Sequence, residues 1–163
     1  MLEIACPGCG ATVLAADGPS HPYLPAAPGC WALYCGLQPW YGELRGEAGI
    51  TTIQDLVDAY AAQHAASSDR RNRQSVAVHL MSLCLGVERG ASGRHRRSRI
   101  GGWTHRPYPL MEPLPVGFIL TVADISRAPA AQRAADVARM AVQTWAAWAH
   151  HHPTVRRWLD EAG

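Results

Sequence analysis

Residues 51–66, TTIQDLVDAYAAQHAA, and residues 74–88, QSVAVHLMSLCLGVE, decide the fold class. In the first stretch Ile53, Leu56, Val57, Tyr60 and Ala61 recur at the spacing that places side chains on one face of an α-helix, and His64 continues that face. Thr52 followed by Asp55 resembles a capping arrangement. In the second stretch Val76, Leu80, Leu83 and Val87 form the apolar stripe, with His79 and Cys84 on it rather than opposite it. The polar residues 67–73 between them read as a turn. The pair predicts an antiparallel helix hairpin, and with it a mainly α fold.

On the N-terminal side, residues 1–29 are rich in Gly, Pro, Ala and Cys and show little periodicity. They predict loops around a small β-hairpin, residues 2–5 pairing with 11–15. Pro19, Pro22, Pro25 and Pro28 keep the following stretch extended. Such a segment builds no core of its own and needs a staple. Residues 30–45 read as a helix with large aromatics that Pro39 ends or kinks, and residues 46–50 read as a break.

On the C-terminal side, residues 90–102 read as a basic Gly/Ser loop carrying Arg94, Arg96, Arg97 and Arg99. Residues 103–115 are Pro-rich and irregular. Residues 116–122 suit a short strand or the lead-in to a helical turn started by Thr121 and Asp124. A long helix is expected from Pro129, a good first-turn residue, to His151. On it Val137, Met140, Ala141, Trp145 and Trp148 share one face, and Pro153 stops it. Residues 154–161 add a terminal helix with Trp158. No internal repeat is present, and 163 residues fit one domain, with residues 1–29 as the knuckle segment and 30–163 as the helical core.

Hydrophobic residues make up 48% of the chain, enough for a packed core. All 15 basic residues are Arg, and the formal net charge is +2. That balance argues against whole-surface attraction to nucleic acid or membrane. The N-terminus has no basic start before Cys6 and Pro7, and no apolar run approaches the roughly 20 residues of a membrane span. A reducing, cytoplasmic location is expected, with the five cysteines as ligands or buried thiols rather than disulfides.

Cys6-Pro7-Gly8-Cys9 is a tight turn that places two thiolates on one edge of a tetrahedron, and Gly10 suits the backbone that follows. Zinc is the expected cofactor. Cys30 is the best third ligand. The fourth is either His21, giving Cys-x2-Cys-x11-His-x8-Cys, or Cys35, giving Cys-x2-Cys-x20-Cys-x4-Cys. Cys30 and Cys35 on one helix would be poorly placed for a shared metal. A redox dithiol competes, but that chemistry expects a helix after the first Cys, and Gly-Ala-Thr-Val-Leu is no helix start. Two unbound cysteines are the plain alternative.

In the helix hairpin, counting outward from the turn sets Asp58 nearly level with His79, and His64 near Gln74 and Ser75. Asp58, Tyr60, Gln63, His64, Gln74, Ser75 and His79 then line one groove. Two histidines and a carboxylate suit general acid–base work or a metal with N/O ligands. The same residues also serve simply as buried polar groups that hold two helices in register. The run His150, His151 and His152 reads as a solvated helix end.

The segments Cys6-Pro-Gly-Cys-Gly, Gly18-Pro-Ser-His-Pro-Tyr, Pro28-Gly-Cys-Trp-Ala-Leu-Tyr, Asp58-Ala-Tyr-Ala-Ala-Gln-His and Gln74-Ser-Val-Ala-Val-His-Leu-Met-Ser-Leu-Cys, in this order, resemble a group of small bacterial proteins known only as a domain of unknown function. The C-terminal Trp145-Ala-Ala-Trp-Ala-His-His-His resembles it too. The resemblance implies that Cys6, Cys9, His21, Cys30, Asp58, His64, Gln74 and His79 belong to a shared pattern. Cys35 lies outside it, which turns the fourth ligand toward His21. Ala65 and Ala66 depart from the Pro-Gly of that pattern, and residues 103–115 are atypical. It implies no activity.

Together these readings predict a zinc-binding helical protein with metal ligands Cys6, Cys9, His21 and Cys30. Its expected activity is that of a small-molecule enzyme of lyase, cyclase or hydrolase type, working through Asp58, His64 and His79. The alternative is a non-enzymatic regulator that binds nucleic acid or a protein partner through the Arg-rich loop.

Overall fold

The computed structural model describes residues 1–66, 68–106, 108, 112, 114, 115 and 117–163. The chain is mainly helical, with a two-stranded antiparallel sheet, β1 (Glu3–Ala5) and β2 (Thr12–Leu14), at its start. The helices follow as α1 (Pro28–Cys35), α2 (Gln38–Tyr41), α3 (Gly46–Gln63), α4 (Arg70–Arg89), α5 (Gly93–Trp103), α6 (Val122–Arg127), α7 (Ala130–Ala147) and α8 (His152–Ala162). No described helix is long and apolar enough to cross a membrane.

Helix α3 is the axis of the molecule, packed by α4, α5 and α7. Its pairing with α4 is antiparallel: Asn72 near the start of α4 reaches the end of α3 at His64, while Ser82 and His79 further along reach back to Asp58. Leu56, Ala59 and Tyr60 of α3 join Val122, Ile125, Val137 and Met140 around the cysteine-bearing N-terminal segment. A second apolar body gathers Val76, Leu80, Leu83, Trp145, Trp148 and Trp158 between α4, α7 and α8. Glu88 locks this end. It accepts from the Trp145 indole at 3.0 Å and from Arg156 at 2.6 Å, and the Arg156 guanidinium beside it holds its carboxyl down at about 2.

Several boundaries differ from the sequence expectation, each for a physical reason. Helix α3 begins at Gly46 rather than Thr51. Gly-Glu-Ala-Gly is a weak helix former, but Glu47 accepts the Arg94 backbone N–H and its side-chain Nε, both at 3.0 Å, so a tertiary contact holds the extra turn. Thr52 caps nothing, and its hydroxyl donates back to Ala48 O. Pro39 and Pro153 sit in the first turns of α2 and α8, where a missing N–H costs nothing, so they start helices instead of ending them. Gly36 provides the break expected at Pro39.

The stretch expected as a basic loop is helix α5. Ser92 caps it by accepting from the His95 N–H. The residue it turns toward α3 is Arg96, fully buried between Asp55 and Asp58, so no apolar stripe advertises the helix. Arg94 is paired with Glu47, and Arg97 reaches Gln54 at 3.5 Å. Among the described residues of 116–122 there is no strand; α6 follows instead, with Asp124 accepting the Thr121 backbone N–H at 2.8 Å. Residues 107, 109–111 and 113 of the irregular stretch 103–115, and residue 116, lie outside the described residues.

Candidate metal centre and the cleft beside it

The knuckle is shaped by β1 and β2, whose pairing closes at Ala5 and Thr12. Cys6 N–H donates to Ala11 O, and Gly10 N–H, in the left-handed region at φ 77°, donates to Cys6 O. Both knuckle sulfurs thereby face α1 and α3. Cys30 comes from the first turn of α1, and His64 from the residue that ends α3. The ligand atoms of Cys6, Cys9, Cys30 and His64 lie within 4.8 Å of one another, and all four residues are buried. Cys9 Sγ is 3.8 Å from Cys30 Sγ, and His64 Nε2 is 3.5 Å from the sulfurs of both Cys6 and Cys30.

The surroundings suit a cation. His64 Nδ1 donates to Tyr60 O at 2.6 Å, which leaves the Nε2 lone pair toward the sulfurs. Ala27 N–H donates to Cys6 Sγ. Hydrogen bonds from Cys30 and Cys9 hold the Cys6 thiol well below its usual range, while those same contacts and burial push Cys30 up. Burial pulls the His64 imidazole down, but the neighbouring sulfurs outweigh it and raise it to about 9. Three sulfurs and one imidazole in a buried pocket are a donor set that can hold a metal ion.

The fourth position of this group belongs to His64 and not to His21. His21 Nδ1 accepts the backbone N–H groups of Tyr23 and Leu24, and its ring stands edge-on to Tyr23 and Trp31. It shapes the Pro-rich turn. Cys35 is exposed and apart from the group. The set reads Cys-x2-Cys-x20-Cys-x33-His, with its last member too remote for a spacing argument. The one signal was a histidine continuing the apolar face of α3. Among the described residues this is the one group of its kind.

His64 therefore does not join Asp58 and His79. Those two do meet: His79 Nδ1 donates to Asp58 Oδ1 at 2.6 Å. Asp58 is fully buried and accepts three further bonds, from Gln54 Nε2 at 2.8 Å, from the Ser82 hydroxyl and from Arg96 at 3.3 Å. Two donors on each oxygen fill the carboxylate. Burial pushes the Asp55 carboxyl up, and the Arg96 guanidinium at 2.5 Å opposes it. Arg96 and Ser82 were missed by sequence reasoning, because neither breaks a pattern that marks buried polar groups.

His79 stands between this buried network and a cleft of about 670 Å³. Its side chain is 17% exposed, and Nε2 has no hydrogen-bond partner among the described residues. Gln74 and Ser75 line the same cleft, as do Arg70, Arg71 and Arg106. Gln74 Nε2 donates to the carbonyls of Thr104 and Arg106, which pins the far wall. Asn72 ties the cleft to the cysteine group: Nδ2 donates to His64 O at 2.7 Å and to Tyr23 O at 3.1 Å.

No curated protein and no solved structure matches the chain. A family model does match, over residues 4–149, and so spans the cysteine group, the Asp58 network and the cleft alike. The chain belongs to DUF5946, a family of unknown function.

Proposed function

We propose that this protein is a small-molecule enzyme of general acid–base type, built on a helical scaffold that a structural zinc ion holds together. The observation that carries the catalytic reading is the 2.6 Å bond from His79 Nδ1 to the buried Asp58 carboxylate at the edge of the cleft. A carboxylate on Nδ1–H fixes the tautomer, so Nε2 faces the cleft as a base and stabilises the imidazolium once a proton arrives. Ser82, Gln54 and Arg96 hold Asp58 so that it orients His79 without rotating. His64, expected as a catalytic partner, has the role of a metal ligand in this reading.

Zinc is supported by distance. Zn–S bonds of about 2.3 Å and Zn–N bonds of about 2.0–2.1 Å, at tetrahedral angles, give S···S edges of about 3.8 Å and S···N edges of about 3.6 Å. The Cys9–Cys30 and His64–sulfur separations of 3.8 and 3.5 Å match those edges. Four protein ligands leave no open position, so the ion supplies folding energy and the cleft supplies chemistry. Gly8 makes the closure possible, since a Cβ there would lie 2.4 Å from the His64 ring. Gly8→Ala should push His64 off the metal and weaken zinc affinity by about tenfold or more, the scale on which support around a metal matters. Competition against a chromophoric chelator measures it, and unchanged affinity would remove His64 from the ligand set.

The catalytic reading is tested with p-nitrophenyl acetate, an activated ester that reports a competent imidazole whatever the natural substrate. The metal-loaded protein should accelerate its hydrolysis, and His79→Gln should abolish about a hundredfold of that rate, within the usual range for acid–base groups. His105→Gln should leave it intact, and metal content should stay constant across the three proteins. A rate indifferent to His79→Gln would refute the assignment.

A further inference from the structure

The charge around the cleft goes further than the dyad. Elsewhere five surface arginines face carboxylates, Arg89 with Asp160, Arg94 with Glu47, Arg139 with Asp136, Arg156 with Glu88 and Arg157 with Glu161, while Arg45, Arg127 and Arg133 donate to backbone carbonyls and Arg97 to Gln54. Arg70 and Arg71 are set apart by standing together on one cleft. Both are exposed at the mouth of the cleft, and neither has a carboxylate within ion-pair distance among the described residues. Arg106 stands on another wall, with one nitrogen on Glu161 O at 3.0 Å and no carboxylate. None of the described residues lining the cleft is acidic.

The guanidinium groups are also placed. Arg71 lies over the Tyr23 ring at 4.7 Å, and Asn72 holds the Tyr23 backbone. Gln74 fixes the turn that carries Arg106. Planar forks held in position, rather than free side chains, are what bidentate recognition of a phosphate or carboxylate requires. Ser75 adds a hydroxyl to the same wall, and the volume of about 670 Å³ falls within the range of small-molecule sites.

We infer that the cleft binds a small molecule through a phosphate or carboxylate group, gripped by Arg71 and Arg106 with Arg70 at the mouth, so that the rest of the molecule lies against His79. This inference rests on the acid–base reading for the identity of the site, since it names the class of substrate which that site takes. It assigns to Arg70, Arg71 and Arg106 the role of binding residues and none in proton transfer.

Inorganic phosphate and succinate are the probes, titrated calorimetrically into the metal-loaded full chain. At least one should bind saturably, and which one does so separates a phosphate-bearing from a carboxylate-bearing substrate. Arg71→Gln and Arg106→Gln should each weaken binding by about tenfold, the scale of one charge-assisted contact. Arg139→Gln, which is outside the cleft lining and paired with Asp136, should not change it, and His79→Gln should keep it. Lack of saturable binding by both probes, or binding indifferent to Arg71→Gln and Arg106→Gln, would overturn the inference. Single-stranded nucleic acid binding far more tightly than either probe, and lost in the same variants, would also overturn it in favour of a polyanion. The two readings fail separately. Ester hydrolysis that needs His79 without anion binding removes only the substrate class. Anion binding that needs Arg71, with hydrolysis indifferent to His79, removes only the catalysis.

Discussion

Metal removal should lower the midpoint of thermal unfolding by at least about 10 °C. A structural zinc site contributes on the order of 10 kcal/mol, comparable with the roughly 5–15 kcal/mol that holds a whole domain together. Each kcal/mol moves Tm by about 2–4 °C in a chain of this size, so even half of that contribution gives the stated shift. The loss should begin in the N-terminal segment. There Cys6, Cys9, Leu24, Ala26 and Cys30 are buried against α3, yet the regular structure is one short hairpin. Cys30→Ser should reproduce the effect, and Cys35→Ser should not, because Cys35 is exposed and outside the group. Circular dichroism melts paired with elemental analysis make the measurement. A stripped protein that melts within about 2 °C of the loaded one would show that the sulfurs need no cation.

The second large effect is expected at Asp58. Replacing it with Ala removes the acceptor for four donors and leaves the fully buried Arg96 with only Asp55. Arg96 Nε already has no partner among the described residues. Breaking a buried ion pair from one side costs about 3–5 kcal/mol, whereas replacing both charges with apolar groups of similar volume is often nearly neutral. Asp58→Ala should therefore shift urea unfolding by about 3–5 kcal/mol, and Asp58→Leu combined with Arg96→Met should recover most of it while losing His79-dependent hydrolysis. Gly86 belongs to the same arrangement. A Cβ there would lie 2.5 Å from the Arg96 guanidinium, so this glycine in α4 makes room for the charge. An Asp58→Ala protein as stable as wild type would mean that Asp55 alone neutralises Arg96.

How legible this was in the sequence depended on what each element buries. Helices α3 and α4 turn aliphatic side chains inward, so their periodicity was plain and the level of Asp58 with His79 followed from counting. The knuckle cysteines and Cys30 were readable because turn chemistry is local. Helix α5 was not, since its buried contacts are Arg96 and Trp103 and its start leans on Glu47 of a different helix. His64 was seen as a polar residue on an apolar face but given to the wrong neighbour. Its side chain leaves the helix at the last residue and turns toward the N-terminal segment, a direction that no one-dimensional spacing encodes.

Asp58 lies on α3 and His64 is the residue that caps its end, fewer than two turns and about 9 Å of rise further on. A slide or twist of that helix displaces both at once, so the cysteine–histidine group and the Asp58–His79 pair are geared together as if on a common shaft. A substitution that re-aims one is expected to disturb the other, whereas Arg70, Arg71 and Arg106 line the cleft from outside that helix.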